Sequence, residues 1–370
     1  MRQLERPGLI NLAAGVPNPD LLPVTALKKA FADANRRSGK AMWAYQTPEG
    51  HAGLREQIAL RLSRRKCPVK AGQIIVTTGC TQALHLALRT LVKPGEIVAC
   101  ESPCYYNLLE QIHDTGARAL PLPTDMNRGL RLDETERLIK RHRPKCLVVC
   151  SSLSNPTGAT LSVPARRALV KMCRHWGVLL VEDDIYGELC DNGAPPPLRA
   201  FDDGSVVVYV TSFCKSVSPG LRVGCLIAGP AFEKAVRLKC QADLHSSVVA
   251  EATLCEFMRA GEMDGHLRAL RTTCVERRKL VREAVQEYFP TGTRVSNPQG
   301  GFLLWVELPQ PVNAEKWSDA AMQRGVTFAR GEVFLTGPAQ RGCLRLNCAK
   351  AALRDLRKGI QLLAECLNSL

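Results

Sequence analysis

A chain of 370 residues with 45% hydrophobic residues can bury one large core and a smaller second one, so two lobes are expected. The opening Met1–Pro7 lacks the apolar centre of a signal peptide, and no apolar run reaches the length of a membrane-spanning helix, which predicts a cytoplasmic chain with no membrane partner. The sixteen cysteines lie scattered in apolar runs without a Cys-x-x-Cys pair and read as reduced, buried thiols rather than a disulfide framework or metal site; the net charge of +15 falls in short clusters on helix-like segments with only 5% aromatic residues, which excludes a stacking platform for single-stranded nucleic acid.

Strand and helix signals alternate from about residue 41 to 245. Apolar, β-rich runs at 73–77, 96–100, 117–122, 146–150, 178–181, 206–210 and 223–227 read as strands buried on both faces. Helix-like stretches at 81–91, 106–114, 133–141 and 163–176 lie between several of them, the third opened by the capping pattern Asp133-x-x-Glu136. This alternation predicts an α/β fold with a mostly parallel, doubly wound sheet. From about residue 246 the pattern changes to long helices at 248–260 and 266–289, a strand at 301–308, a further helix, and a last strand at 342–347. The expected organisation is a large domain at 41–245 and a smaller α+β domain at 246–370, with residues 1–40 contributing to the small domain and the active-site entrance.

Ligands of open α/β sheets sit at the carboxyl ends of the strands, so the polar residues that follow each run carry the functional expectation. After 73–77 comes Thr78-Gly79-Cys80-Thr81-Gln82 entering a helix, where backbone amides, a glycine and the Thr81 hydroxyl can cup a phosphate. After 146–150 comes Ser154-Asn155-Pro156-Thr157-Gly158, a turn that can aim the Asn155 amide above the sheet, although Asn-Pro is also an ordinary turn. After 178–181, Asp183 and Tyr186 stand at a strand end, with a helix cap as the plainer reading of Asp183. After 206–210, Lys215 sits among small residues with Ser212 three positions before it and Arg222 seven after.

An amine at Lys215 can form an imine with an aldehyde while Ser212 and Arg222 hold an anion nearby. That combination points to pyridoxal 5′-phosphate. Asp183 can pair with a pyridine nitrogen and keep it protonated, which makes the ring an electron sink. Asn155 and Tyr186 can both donate to the phenolic oxygen beside the imine and lower its pKa. Lys215 then has two tasks, holding the cofactor and moving the proton of the substrate Cα.

Asn155-Pro156-Thr157-Gly158, Asp183-Asp184-Ile185-Tyr186, Ser212-Phe213-Cys214-Lys215 and Arg222 resemble the NPTG, D-x-x-Y, S-x-x-K and second phosphate-ligand motifs of fold type I pyridoxal-phosphate enzymes of the class I/II aminotransferase family. The likeness covers essentially the whole chain. Asn11–Pro17, Pro298–Phe302 and Cys343–Asn347 are similar to the aminotransferase-like domain of MocR/GntR-type proteins and to free-standing aminoadipate or aromatic aminotransferases. The resemblance implies that Tyr105 stacks on the pyridine ring, that Tyr45 reaches the phosphate of a neighbouring subunit in a homodimer, and that Arg345 grips the substrate α-carboxylate. A planar guanidinium suits that last role, since it binds a carboxylate bidentately. Substrate contacts are expected from Asn155, from the segment Gly15 to Leu22 and from Arg330 to Leu335.

Cys80, Cys214 and Ser154 depart from the residues usual at their positions; Cys80 is expected to serve the cup through its backbone amide. MocR-type regulators carry a winged helix-turn-helix domain ahead of the region that begins here at Ile10, so the chain reads as a free-standing enzyme or as part of such a regulator, and no nucleic-acid partner is expected for this chain alone. The leading expectation is transfer of an amino group between an L-amino acid and a 2-oxo acid. Another pyridoxal-phosphate reaction (substitution, decarboxylation or oxidation at Cα, Cβ or Cγ) and a regulator's effector domain are the alternatives.

Overall fold

The computed structural model describes residues 6, 8–336 and 342–369, so the reading of Met1–Pro7 falls, Arg6 apart, outside the described residues. β1 (Ile10–Asn11) leads to α1 (Val24–Ser38) and α2 (Ala52–Arg64). The large sheet is built from β2 (Ile75–Thr77), α3 (Cys80–Leu91), β3 (Ile97–Ser102), α4 (Tyr106–Asp114), β4 (Arg118–Asp125), β5 (Gly129–Leu130), α5 (Leu132–His142), β6 (Cys146–Val149), α6 (Val163–Trp176), β7 (Leu179–Asp183), β8 (Val207–Ser212) and β9 (Gly224–Ile227). Then come α7 (Phe232–Asp243), α8 (Val248–Arg259), α9 (Glu262–Tyr288), β10 (Arg294–Val295), β11 (Leu303–Glu307), α10 (Ala314–Gln323), β12 (Val326–Thr327), β13 (Ala329–Arg330), β14 (Cys343–Asn347) and α11 (Leu353–Asn368).

The eight strands run β2-β9-β8-β7-β6-β3-β4-β5 across the sheet. The inner pairs are parallel, whereas β9 is antiparallel to both β2 and β8, and β5 is antiparallel to β4. Alternate residues of one strand enter different cores. Val148 packs with Leu84 and Leu88 of α3 and Ile112 of α4, while Leu147 and Val149 pack with Ile139 of α5 and Leu169 of α6. Helices therefore cover both faces, and each fully buried valine or leucine contributes about 1.5–3 kcal/mol. The mostly parallel, doubly wound sheet expected from the sequence is the one observed.

Two local expectations fail. The run at 117–122 belongs to β4, and within that strand only Leu122 is buried, because the two-residue β5 is all that lies beyond it. Asp133 does not cap α5: the helix begins at Leu132 with Arg131 at its N-cap and no side-chain cap bond. Asp133 and Glu134 instead place negative charge in the first turn, where the helix dipole favours it. Glu136 accepts from the Trp176 indole at 3.1 Å and so ties α5 to α6.

A second, antiparallel sheet runs β10-β11-β14-β13, and β1 pairs in parallel with β12, which joins the N-terminal segment to this part of the molecule. The largest core unites the two parts, since Phe213 and Val223 share it with Leu304, Trp317, Leu346 and Leu363. All sixteen cysteines are free thiols, and all but Cys150 and Cys240 are buried. Among the described residues no helix is long and apolar enough to cross a membrane, and no cluster could hold a metal ion.

Candidate active site

The strand ends converge because the parallel strands all finish on one side of the sheet. β7 closes on Asp183 and β8 on Ser212, β6 leads into the Asn155 turn, and β2 leads into Gly79 at the N-cap of α3. Gly79 has φ +85°, and a side chain there would meet Arg222 Nη2 at 2.9 Å. Gly224 supports the same approach, because a Cβ would lie 2.8 Å from the Gly79 carbonyl carbon. Two bare backbones thus bring the start of α3 beside Arg222, whose Nη2 donates to Thr78 O at 3.2 Å. Arg222 and Thr81 are both exposed at this rim. Ser212 is buried, with its hydroxyl donating to Val223 O at 2.9 Å and accepting from the Cys214 amide at 3.2 Å, so it must rotate to donate to an anion.

Burial pushes the Lys215 ammonium below its ordinary value, and the Arg345 and Arg222 guanidinium groups press the same way. Its Nζ donates to Gly15 O at 2.6 Å rather than to a carboxylate, which leaves an amine that gives up its proton readily. Burial lifts the Asp183 carboxyl to about 6. Asp183 Oδ1 accepts from the Cys80 thiol at 3.3 Å and from the Ile185 amide at 3.2 Å, while Oδ2 makes no hydrogen bond among the described residues. The Tyr186 ring is buried edge-on to Phe302 at 5.9 Å, and burial holds its hydroxyl well above its ordinary value. Tyr105 stands at the N-cap of α4, half-buried, edge-on to Tyr106 at 5.0 Å.

Arg345 of β14 is 4% exposed. Its Nη1 donates to Asn155 Oδ1 at 2.8 Å and its Nη2 to Ala13 O at 2.5 Å, and the guanidinium lies over the Phe334 ring at 4.9 Å. The bond at Oδ1 turns the Asn155 amide so that its NH2 is left for another acceptor. Gly15 lies beside this fork: a Cβ there would stand 3.6 Å from both Nη1 and Nη2. Tyr45 is the outlier, 87% exposed and edge-on to His245 at 5.4 Å.

Three features escaped the sequence reading. Asn347, two residues after Arg345 and so on the same face of β14, donates to Val16 O at 2.9 Å and to Ala14 O, pinning the segment that presents Gly15; period-two spacing from Arg345 is the signal that could have found it. Glu101 is a buried carboxyl raised by burial to about 8, accepting from the Cys150 amide at 2.8 Å and the Ser154 hydroxyl at 3.4 Å beneath the Asn155 turn. Lys239 is fully buried behind the cup, with its Nζ 2.8 Å from Asp243 Oδ1, while Asp243 Oδ2 accepts from Gln82 at 2.7 Å and Thr78 at 3.3 Å. No local pattern marked the last two.

The sequence profile of the aminotransferase class I and II family matches residues 7–363. The chain belongs to that family. Among its relatives, the 2-aminoadipate transaminase of Thermus thermophilus is 32% identical over 100% of this chain and 93% of its own length, and the uncharacterized HTH-type transcriptional regulator YdcR of Escherichia coli is 30% identical over 96% of this chain and 78% of its own. In structure, the α-aminoadipate aminotransferase LysN of Thermus thermophilus, complexed with N-(5′-phosphopyridoxyl)-L-leucine, superposes with a TM-score of 0.92 at 31% identity, covering 100% of this chain and 94% of that one. This aminotransferase thus has the fold of the fold type I enzymes, its cofactor is pyridoxal 5′-phosphate, and its reaction is the transfer of an amino group between an amino acid and a 2-oxo acid. The residues fit that group: among the described residues the amine of Lys215 pairs with no acid and Asp183 Oδ2 makes no hydrogen bond, and the bare Gly79 turn beside Arg222 leaves space that a side chain would fill.

Proposed function

We propose that Lys215 holds the cofactor of this aminotransferase and moves the proton of the substrate Cα. When bound, pyridoxal 5′-phosphate supplies an aldehyde carbon that takes up the amino group and a ring that draws electrons from Cα. Gly79, Cys80 and Thr81 at the start of α3, with Ser212 and Arg222, receive the phosphate, Tyr105 stacks on the ring, and Asp183 Oδ2 meets its nitrogen. Asn155 and Tyr186 donate to the phenolic oxygen. Arg345 takes the α-carboxylate on its fork, which orients Cα toward Lys215 and turns a bimolecular encounter into a positioned one.

One observation carries this reading. Gly15 is the meeting point of the two key cations: its carbonyl accepts from Lys215 Nζ at 2.6 Å, and its missing side chain leaves the Arg345 fork open to a carboxylate. An L-amino acid bound through that carboxylate brings its amino group to the lysine. The likeness to the 2-aminoadipate transaminase supports a long or acidic side chain as the first substrate class to examine. We further propose a large domain at 41–245 with the small domain at 246–370 joined by residues 1–40, a cytoplasmic location, and a homodimer in which Tyr45 reaches the neighbouring site.

Adding single L-amino acids to the cofactor-loaded protein is expected to convert the cofactor to its amine form with release of one matching 2-oxo acid, followed by absorbance and product analysis. Lys215→Ala is expected to lose the band of the lysine-bound cofactor; an unchanged spectrum in that variant overturns the assignment. The likeness to YdcR favours a second reading, a regulator's effector domain, which predicts slow or absent conversion with every common amino acid.

A further inference from the structure

Cys80 opens α3 and is buried, with its Sγ 3.3 Å from Asp183 Oδ1. Burial, reinforced by the Asp183 charge, holds this thiol well above its ordinary value, so it keeps its proton and faces the carboxylate as a donor. Asp183 is 9% exposed, and its Oδ1 is shared between Cys80 and the Ile185 amide, while Oδ2 makes no hydrogen bond among the described residues. The Ile185 contact comes from two residues along the same chain and constrains the carboxyl only locally. Cys80 adds an anchor from another element, and two anchors on one oxygen fix the rotation of the other.

We infer that Cys80 is a positioning residue for the ring-nitrogen contact: its thiol holds the Asp183 carboxylate so that Oδ2 is presented to the protonated pyridine nitrogen. The inference rests on the proposed pairing of Asp183 with that nitrogen. It joins the two ends of the cofactor through one residue, whose backbone amide serves the phosphate and whose side chain serves the carboxylate opposite. A donor here also favours the charged form of a carboxylate that burial disfavours.

The test is the equilibrium binding, to the cofactor-free chain, of pyridoxal 5′-phosphate and of its analogue with carbon in place of the ring nitrogen. The readout is the ratio of the two dissociation constants, which a packing role for Cys80 would leave unchanged. Cys80→Ala is expected to cut the preference for the nitrogen-bearing cofactor by about threefold to tenfold, the range of one weak donor to a charged acceptor, while Cys80→Ser keeps it within about twofold. Asp183→Ala is expected to abolish the preference. An intact preference in Cys80→Ala, with Asp183→Ala lowering it, overturns the role of Cys80 alone; an intact preference in Asp183→Ala overturns the nitrogen pairing and this inference with it.

Discussion

Burial lifts the Asp183 carboxyl from an ordinary 3.8 to about 6, and that shift sets a pH dependence for folding of the cofactor-free chain. The unfolded chain loses this proton near pH 3.8 and the folded one near 6, so the stability the neutral acid provides is complete below 3.8 and is lost as the pH rises through 6. Asp183→Asn keeps the shape without the ionisation. It is expected to make the cofactor-free chain more stable than the parent at pH 7.5, by up to about 3 kcal/mol, with the gap closing as the pH falls toward 4.5. Urea midpoints at the two values check this, and a gap that widens on acidification contradicts it. The same variant is expected to bind pyridoxal 5′-phosphate more weakly, since the charge that costs stability in the cofactor-free chain is the one proposed to pair with the ring nitrogen. The place of Asp183 at the end of β7 was legible from the β-run that precedes it. Its partner thiol was not, because a contact between residues 80 and 183 belongs to the fold and leaves no mark on either local sequence.

The elements that position the site were readable where their burial is two-sided. The runs that became β2, β6, β7, β8 and β9 are continuous apolar stretches because both faces are covered, and α4 and α6 match their expected bounds because each has a clean apolar stripe. The two-residue strands β1, β5, β10, β12 and β13 are too short to carry a period, and their place depends on partners far along the chain. α7 supports the cup in the same unmarked way. Lys239 is fully buried, and through Asp243 it holds Gln82 and Thr78, the latter lending its carbonyl to Arg222. Lys239→Met removes one partner of this pair and strands the other. With Asp243 a quarter exposed, the expected loss is about 2–3 kcal/mol, short of that for a fully buried pair. Denaturant unfolding measures it, and a weakened affinity for inorganic phosphate in the same variant is the sign that the cup has moved with the helix.

The molecule as a whole leaves aromatic and aliphatic surface bare around one corner: Tyr45 is 87%, Trp43 66% and Leu244 54% exposed, with Tyr45 against His245. Tyr45 makes no hydrogen bond within its own chain among the described residues, which suits a side chain whose polar end is used by a second copy. A two-fold dimer would carry Tyr45 of each subunit to the other's cup, so that every site is completed by both chains. Hybrid dimers separate this arrangement from one in which Tyr45 serves its own chain. Tyr45→Phe and Lys215→Ala homodimers are each expected to lack intact sites, the first binding cofactor weakly and the second unable to hold it covalently. After mixing and subunit exchange, a hybrid contains one site with the native Lys215 of the first chain and the native Tyr45 of the second. About a quarter of all sites should then regain the parent's affinity and its lysine-bound absorbance, since half of the dimers are hybrids with one intact site each. If Tyr45 acts within its own subunit, neither site of the hybrid has both residues, and mixing restores nothing.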